Sequence, residues 1–336
     1  MAVRVGINGF GRIGRNFYRA ARAGGDVEVV AVNDLVPPAT NAHLLKYDST
    51  HRRLDADVSA DGDSIKVGDQ TIRVFSERDP ADLPWGDLGV DVVVESTGFF
   101  TDGDKAKAHI AGGAPRVLIS APATNVDATF VIGVNHDTFD PAKHTIVSNA
   151  SCTTNCFVPM IKVLDDAFGL EKGLMTTVHA YTNDQNLLDL AHKDLRRGRA
   201  AAANIVPSAT GAARATSLVL ESMKGRLDGQ ALRVPVQDGS ITDFTGILGK
   251  DVTVAEINEA FKAASESGLL ADVLVYTEDP IVSSDIIGSP ASCTFDSQLT
   301  MAMGSLEKVF GWYDNEWGYS NRLVDMAAIV GAANQA

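Results

Sequence analysis

Three cysteines occur in the 336-residue chain, and one of them sits where a thiol could do chemistry. Cys152 lies in Asn149-Ala150-Ser151-Cys152-Thr153-Thr154-Asn155-Cys156, after the strand-like run Thr145–Asn149 and at the start of a helical stretch. In the first turn of a helix, unpaired N–H groups and the positive end of the dipole favour a thiolate, the reactive form of cysteine. Core cysteines have mostly apolar neighbours, whereas these are Ser and Thr. Cys156 follows one turn later, at a Cβ separation of about 5–6 Å, longer than the roughly 3.5–4.5 Å of a disulfide. It reads as an inert packed thiol. A nucleophilic thiol needs a base, and His179 is the candidate. It ends the apolar strand Leu174–Val178 and opens the polar run Ala180-Tyr181-Thr182-Asn183-Asp184-Gln185. Spacing alone does not separate a catalytic His179 from a structural one.

A second constellation is Gly9-Phe10-Gly11-Arg12-Ile13-Gly14, between the first strand pattern and a helix pattern. The three glycines suit a tight turn, a close backbone approach to a pyrophosphate and a helix–strand contact, with the helix N-terminus offering N–H groups to phosphate. Asp34 closes the second strand about 20 residues on, the spacing of the carboxylate that binds ribose hydroxyls. Its charge would repel a 2′-phosphate, so the expected cofactor is NAD rather than NADP.

These residues need elements to hold them. Short β-branched runs at Val3–Ile7, Val27–Asn33, Asp91–Glu95, Arg116–Ala121, Phe130–Val134 and Thr145–Asn149 alternate with helical or turn-rich stretches, the pattern of a doubly wound parallel sheet. Residues Tyr47–Arg78 read as a hairpin excursion on it. Beyond Ser151 come longer alternating runs at Gly173–Tyr181, Ala231–Val236, Ser240–Leu248, Ala271–Tyr276 and Leu306–Trp312, the texture of a mixed or antiparallel sheet. Thr253-x-x-Glu256 is a capping box that opens a helix burying Ile257, Ala260 and Phe261. The expected fold class is therefore α/β: a Rossmann-type doubly wound domain over 1–150 and an α+β catalytic domain over 151–316. An alanine-rich helix at Ser320–Ala333 closes the chain.

Composition narrows the class further. With 29 Lys+Arg against 43 Asp+Glu the net charge is −14, which argues against nucleic acid as a main partner. No apolar run approaches the roughly 18–20 residues of a spanning helix. An unpaired cysteine set and a start without a signal-peptide pattern predict a cytoplasmic protein without structural metal.

The string Ser148–Cys156, together with Gly6-Ile7-Asn8-Gly9-Phe10-Gly11-Arg12-Ile13-Gly14-Arg15, closely resembles the phosphorylating glyceraldehyde-3-phosphate dehydrogenases. So do Glu95-Ser96-Thr97-Gly98, His179–Gln185, Thr210-Gly211-Ala212-Ala213 and Trp312–Ser320, in order along essentially the whole chain. The resemblance implies NAD-dependent oxidation of glyceraldehyde 3-phosphate through a Cys152 hemithioacetal and thioester, with His179 as base and inorganic phosphate as acceptor. It implies that Thr182 and Arg233 hold the substrate phosphate, while Ser151, Thr153, Thr210 and Gly211 hold the attacking one. It adds Arg12 and Ile13 at the pyrophosphate, Arg78 and Ser120 near adenosine, Asn315 on the carboxamide and Tyr319 beside the nicotinamide. The terminal segment 317–336 would complete the NAD-binding domain, and the assembly would be a homotetramer. Asp184 would orient Arg233. Lys193, Arg196, Arg197 and Arg199 would belong to an ordered loop reaching a neighbouring subunit's cofactor, or form a plain solvated face.

Departures from the family pattern fall at Phe157-Val158, where Leu-Ala is common, at Gln237-Asp238, where Pro-Thr is common, and at Ala191 after Leu190. They spare the catalytic positions. They suggest an active variant with a reshaped pocket tolerant of thiol-directed inhibitors, or neutral drift in packing. Two other readings stay open on sequence alone: an erythrose-4-phosphate dehydrogenase, and a non-enzymatic NAD-binding interaction protein.

Overall fold

The computed structural model describes residues 2–334. Met1, Gln335 and Ala336, the ends of the expected 1–150 and 317–336 segments, lie outside the described residues. The chain divides into two compact units: Met1–Phe130 with His136–Ala150 and Ser320–Ala336, and Val131–Asn135 with Ser151–Tyr319.

The first unit is built on nine strands, β1 (Val3–Asn8), β2 (Val27–Asn33), β3 (Val58–Asp61), β4 (Ser64–Val67), β5 (Gln70–Phe75), β6 (Val92–Glu95), β7 (Val117–Ile119), β8 (Ala128–Thr129) and β9 (Ile146–Ser148). Their order across the sheet is β3-β4-β5-β2-β1-β6-β7-β9-β8. From β5 through β2, β1, β6, β7 and β9 to β8 every pairing is parallel. The residues Tyr47–Arg78 form the expected excursion, because β3, β4 and β5 pair antiparallel at the edge. Helices α1 (Arg12–Gly24), α2 (Pro38–Lys46), α3 (Gly103–Ala106) and α4 (Ala108–Ala111) connect them. The chain runs outward from β1 to β2 and β5, then returns to β6 on the other side of β1. That reversal opens a crevice at the carboxyl ends of β1, β2 and β6, where doubly wound sheets bind their ligands. One strand expectation fails: Phe130–Val134 is not a strand, and the short β8 just before it takes the ladder position. Phe130 is spent instead on an aromatic cluster with Phe139 and His144.

The second unit carries β10 (Leu170–Ala180), β11 (Val206–Ala209), β12 (Leu227–Val234), β13 (Ser240–Leu248), β14 (Leu274–Thr277), β15 (Cys293–Asp296), β16 (Met301–Met303) and β17 (Leu306–Tyr313). Its main order is β11-β12-β10-β13-β17-β15-β14, with β16 paired to β17. The sheet is mixed, parallel between β10 and β12 and antiparallel between β10, β13 and β17. Burial alternates strictly along β13, so one face turns inward. Helix α5 (Cys152–Phe168) covers that face, with α6 (Ala212–Ala215) and α7 (Val254–Glu266) beside it. The capping box forms as expected: Thr253 and Glu256 satisfy each other's backbone N–H groups, and Ile257 and Phe261 are buried, whereas Ala260, expected with them, is half-buried. The last helix, α8 (Trp317–Ala332), leads back into the first unit, where Gly331 packs so tightly on Val3 that a Cβ would lie 2.1 Å from its methyl carbon. Among the described residues no helix is long and apolar enough to cross a membrane.

Candidate active site

The position of Cys152, the candidate nucleophile, follows from a cap. Ser151, in extended conformation, accepts a hydrogen bond from Thr154 N–H through its hydroxyl (3.1 Å) and starts α5 at Cys152. His179 is the penultimate residue of β10, almost fully buried, and its Nε2 stands 3.5 Å from Cys152 Sγ. Parallel pairing sets His179 opposite Arg233 of β12. The Arg233 Nη1 lies 2.7 Å from His179 Nδ1 and donates to the Ala180 carbonyl at 3.0 Å. That carbonyl is itself 2.7 Å from Nδ1. A guanidinium cannot accept and a carbonyl cannot donate, so the two contacts at Nδ1 favour opposite tautomers. With its own donor satisfied by Ala180 O, Arg233 leaves the Nδ1 proton to that carbonyl, and the Nε2 lone pair then faces the thiol.

Burial is the largest influence on both groups and drives each toward its neutral form. It pushes the Cys152 thiol up to about 11, against the pull of Arg233 and of the Thr153 N–H and hydroxyl. It pushes the His179 imidazole down to about 3, and the Arg233 charge acts in the same direction. Burial thus favours a neutral thiol and a neutral imidazole, while the start of α5 and the Arg233 charge favour the thiolate at the half-buried Cys152.

The remaining expected residues of this unit have these surroundings. Thr153 bonds Tyr313 Oη through its hydroxyl at 2.9 Å, and the same Tyr313 Oη bonds Thr177 at 2.8 Å. Thr210 accepts from Ala212 N–H and Gly211 is exposed at the start of α6. Thr182 is half-buried in the turn after β10. Asn315 accepts from Ser240 Oγ at 2.6 Å, and the same hydroxyl receives Ala180 N–H, so Asn315 and the end of β10 share one anchor. Tyr319 is buried, and burial first, with the neighbouring Cys152 second, pushes its phenol up. Asp184 does not orient Arg233. It pairs with Arg197, which also reaches the Ala209 carbonyl, while Arg199 pairs with Asp189. Two members of the basic cluster thus tie their own loop together.

In the first unit the glycine motif forms a cradle. Gly9 has φ +93°, and a Cβ there would lie 2.7 Å from the Ser96 carbonyl carbon. A Cβ on Gly14 would lie 2.3 Å from Gly9 O, whereas one on Gly11, the cap of α1, would meet nothing and fill the cradle. A cleft of about 460 Å³ lies here, walled by Asn8, Gly9, Gly11, Asp34, Arg78 and Thr97 among others. Asp34 holds its carboxylate in place by accepting Phe10 N–H at 2.8 Å. The Phe10 ring is buried and Ile13 is half-buried. The Arg12 guanidinium grips Asp48 with two hydrogen bonds, holding that carboxyl well below the usual range, so what Arg12 offers the cradle is its backbone. Ser120 follows β7, its N–H on Glu95 O. The cradle rests on a buried network that sequence reasoning missed. Glu95 accepts from Asn8 Nδ2 (2.6 Å), Thr97 N–H (2.8 Å) and the Thr97 hydroxyl (2.5 Å). It also receives His109, whose other ring nitrogen accepts from Trp85 Nε1. No motif links residues so far apart in sequence.

A family model for the C-terminal domain of glyceraldehyde 3-phosphate dehydrogenase matches residues 151–315, and one for its NAD-binding domain matches residues 3–103. The chain belongs to the glyceraldehyde-3-phosphate dehydrogenase family. It is 63% identical over 333 residues to glyceraldehyde-3-phosphate dehydrogenase 2 of Streptomyces avermitilis, covering 98% of this chain and 99% of the relative. It is 64% identical to the glyceraldehyde-3-phosphate dehydrogenase of Streptomyces coelicolor over the same shares. The Mycobacterium avium enzyme of that name is 61% identical, again over 98% of this chain and 99% of the relative. The comparisons lend no support to an erythrose-4-phosphate dehydrogenase or to a non-enzymatic interaction protein.

Proposed function

We infer that this chain catalyses the NAD-dependent, phosphorylating oxidation of glyceraldehyde 3-phosphate to 1,3-bisphosphoglycerate. The observation that carries the reading is Cys152 Sγ at 3.5 Å from His179 Nε2 at the start of α5, with Arg233 against the imidazole. The cradle at Gly9, Gly11 and Gly14 beside Asp34 fits a dinucleotide with free ribose hydroxyls. NAD, when bound there, supplies the hydride acceptor.

Cys152 Sγ adds to the aldehyde carbon, and its proton passes through His179 Nε2 to the carbonyl oxygen, giving a hemithioacetal. His179 then takes the hydroxyl proton as hydride leaves the same carbon, and a thioester remains on Cys152. Inorganic phosphate attacks the acyl carbon, the C–S bond breaks, and the His179 proton returns to sulfur. The Cys152 N–H and the imidazolium stabilise the tetrahedral oxyanions.

Arg233 has two duties in this scheme. Its charge suppresses protonation of His179 in the resting site. A substrate phosphate held by Arg233 and Thr182 neutralises that charge, so His179 becomes a competent proton acceptor when substrate is present. For the attacking phosphate, Thr210 has a hydroxyl proton to give, Ser151 and Gly211 lie beside helix starts, and Thr153, its hydroxyl engaged by Tyr313, offers its backbone N–H. Asn315, accepting from Ser240 through its oxygen, has its amide donor for the carboxamide, with Tyr319 alongside.

We further propose a homotetramer working in the cytoplasm. Leu174, Met301 and Met303 are exposed on the second sheet and Leu187, Leu188 and Leu195 on the loop after β10, apolar side chains that contacts between subunits would cover. The three cysteines are free thiols, which suits a reducing compartment. Light scattering giving four 35.5 kDa chains would bear out the assembly, and a monomer would refute it.

The activity test follows NADH absorbance with substrate and NAD, with and without phosphate. Sustained turnover only with phosphate, lost in Cys152→Ser, is expected. A steady rate without phosphate would mean hydrolysis of the thioester and overturn the phosphorylating assignment.

A further inference from the structure

Three polar side chains end three neighbouring strands of the first sheet in one row. Parallel pairing sets Asn8, the last residue of β1, beside Asn33 on β2 and Glu95 on β6, each the last residue of its strand. All three are buried, as are His109 and Trp85 beyond them. The hydrogen bonds among them run in one direction only. Trp85 Nε1 can only donate, so His109 Nδ1 accepts (3.1 Å) and the imidazole proton sits on Nε2, which donates to Glu95 Oε2 at 3.0 Å. Asn8 Nδ2 donates to the same oxygen and lies 3.5 Å from His109 Nε2, two donors converging on one acceptor. Asn8 Oδ1 in turn accepts Asn33 Nδ2 at 2.7 Å. Asn33 Oδ1 accepts Glu77 N–H (2.8 Å), and its Nδ2 also gives to Glu77 O (2.9 Å). Glu95 Oε1 takes the N–H and hydroxyl of Thr97. The chain therefore ends on groups that cannot exchange donor for acceptor, the Trp85 indole on one side and the Glu77 and Thr97 backbone on the other.

We infer that Glu95 and His109 are positioning residues for the dinucleotide, fixing the turns after β1, β2, β5 and β6 in the one relative arrangement that their hydrogen bonds allow. The chain threads the wall of the cofactor cleft: Asn8 precedes Gly9, Asn33 precedes Asp34, Glu77 precedes Arg78, and Thr97 follows β6. Gly9 is held on two further sides, its N–H on Asn33 O at 2.9 Å and its carbonyl under the Ser96 hydroxyl at 2.6 Å. A buried network with every member satisfied has one low-energy pattern, and an unmet donor inside it is costly. Glu95→Gln shows how little freedom there is. Its new amide group would face either Thr97 N–H or the pair Asn8 Nδ2 and His109 Nε2–H. Flipping Asn8 to relieve this sets two amide nitrogens against each other at Asn33, and a flip of Asn33 then forfeits both bonds to Glu77. Switching the His109 tautomer points an N–H at the Trp85 N–H. The disturbance must reach Glu77 and the adjoining Arg78, so the binding cost falls on the adenosine and pyrophosphate part of the cofactor. The inference rests on this cleft being the cofactor's, which NAD binding by the parent chain checks separately.

The test is calorimetric titration of NAD, and of ADP-ribose, which lacks the nicotinamide, into the parent chain, Glu95→Gln and His109→Gln, with circular dichroism to show that each is folded. Glu95→Gln should raise both dissociation constants by at least about tenfold, and His109→Gln by about threefold. KM for NAD should rise in step, while kcat at saturating NAD stays within about twofold because Cys152 and His179 are untouched. A purely structural role would lower the urea midpoint and leave the dissociation constants of the folded chains where they were. Unchanged constants in Glu95→Gln, or in His109→Gln should Glu95→Gln not fold, would overturn the proposal. So would a loss confined to NAD, or a fall in kcat at saturation without weaker binding. A parent chain that bound neither ligand would overturn the cofactor assignment of the cleft itself.

Discussion

Glu307 on β17 is a carboxylic acid turned into the core. It is about 1% exposed, and its Oε1 lies 2.6 Å from where a Gly246 Cβ would be, close to Phe244 and Leu170. Burial is the largest influence and pushes it up from 4.5 to about 8, against the downward pull of the Gly246 N–H and of Lys308, with Asp243 adding the smallest push up. Below pH 4.5 the group is protonated folded and unfolded, and its burial as an acid carries no electrostatic penalty. Between about pH 4.5 and 8 the unfolded chain loses the proton and the folded chain keeps it, so stability falls as pH rises. At about 1.4 kcal/mol per unit, this removes about 3–4 kcal/mol between pH 5 and pH 8. Glu307→Gln keeps the shape and cannot ionise. Relative to the parent it should gain about that amount at pH 8 over its effect at pH 5. Urea unfolding of both proteins at the two pH values measures the difference. A pH-independent gap would refute the claim that Glu307 is held protonated in the fold.

Three further outcomes follow from the geometry. His179→Asn removes the proton acceptor 3.5 Å from Cys152 Sγ, so iodoacetamide should modify Cys152 at least about tenfold more slowly at pH 8, as timed by loss of activity. An unchanged rate would mean the pair does not communicate. Asp34→Ala removes the carboxylate at the cradle and should shift the ratio of kcat/KM for NAD over NADP by about tenfold or more toward NADP. Steady-state kinetics with both cofactors would contradict this if the ratio held. Thr253→Ala dismantles the capping box and should cost about 1 kcal/mol in urea unfolding without altering activity, whereas an unchanged midpoint would make the cap idle.

Local rules reached the parts of this protein that are local. Ser151 before Cys152, the capping box at Thr253 and Glu256, and the glycines at 9, 11 and 14 are each governed by a few consecutive residues. Strand patterning fixed the class of both sheets but misread Phe130–Val134, where aromatic packing won over β propensity, and it overlooked β11, β15 and β16, whose runs are short. Phe157, the departure on α5, is buried edge-on against Phe244 at 5.3 Å. That contact required the helix to be laid on the sheet.

What the chain's order of residues determined by itself was the family, the glycine-rich turn and the candidates for nucleophile and base, Cys152 and His179. Tertiary structure alone decided their state. The Cys152–His179 distance, the Arg233 contact on the His179 ring, the pairing of Asp184 with Arg197, and the Glu95–His109–Trp85 network all join residues separated by 13 to 54 positions. Protonation answers to burial and neighbouring charge, and neither exists until strands and helices have packed.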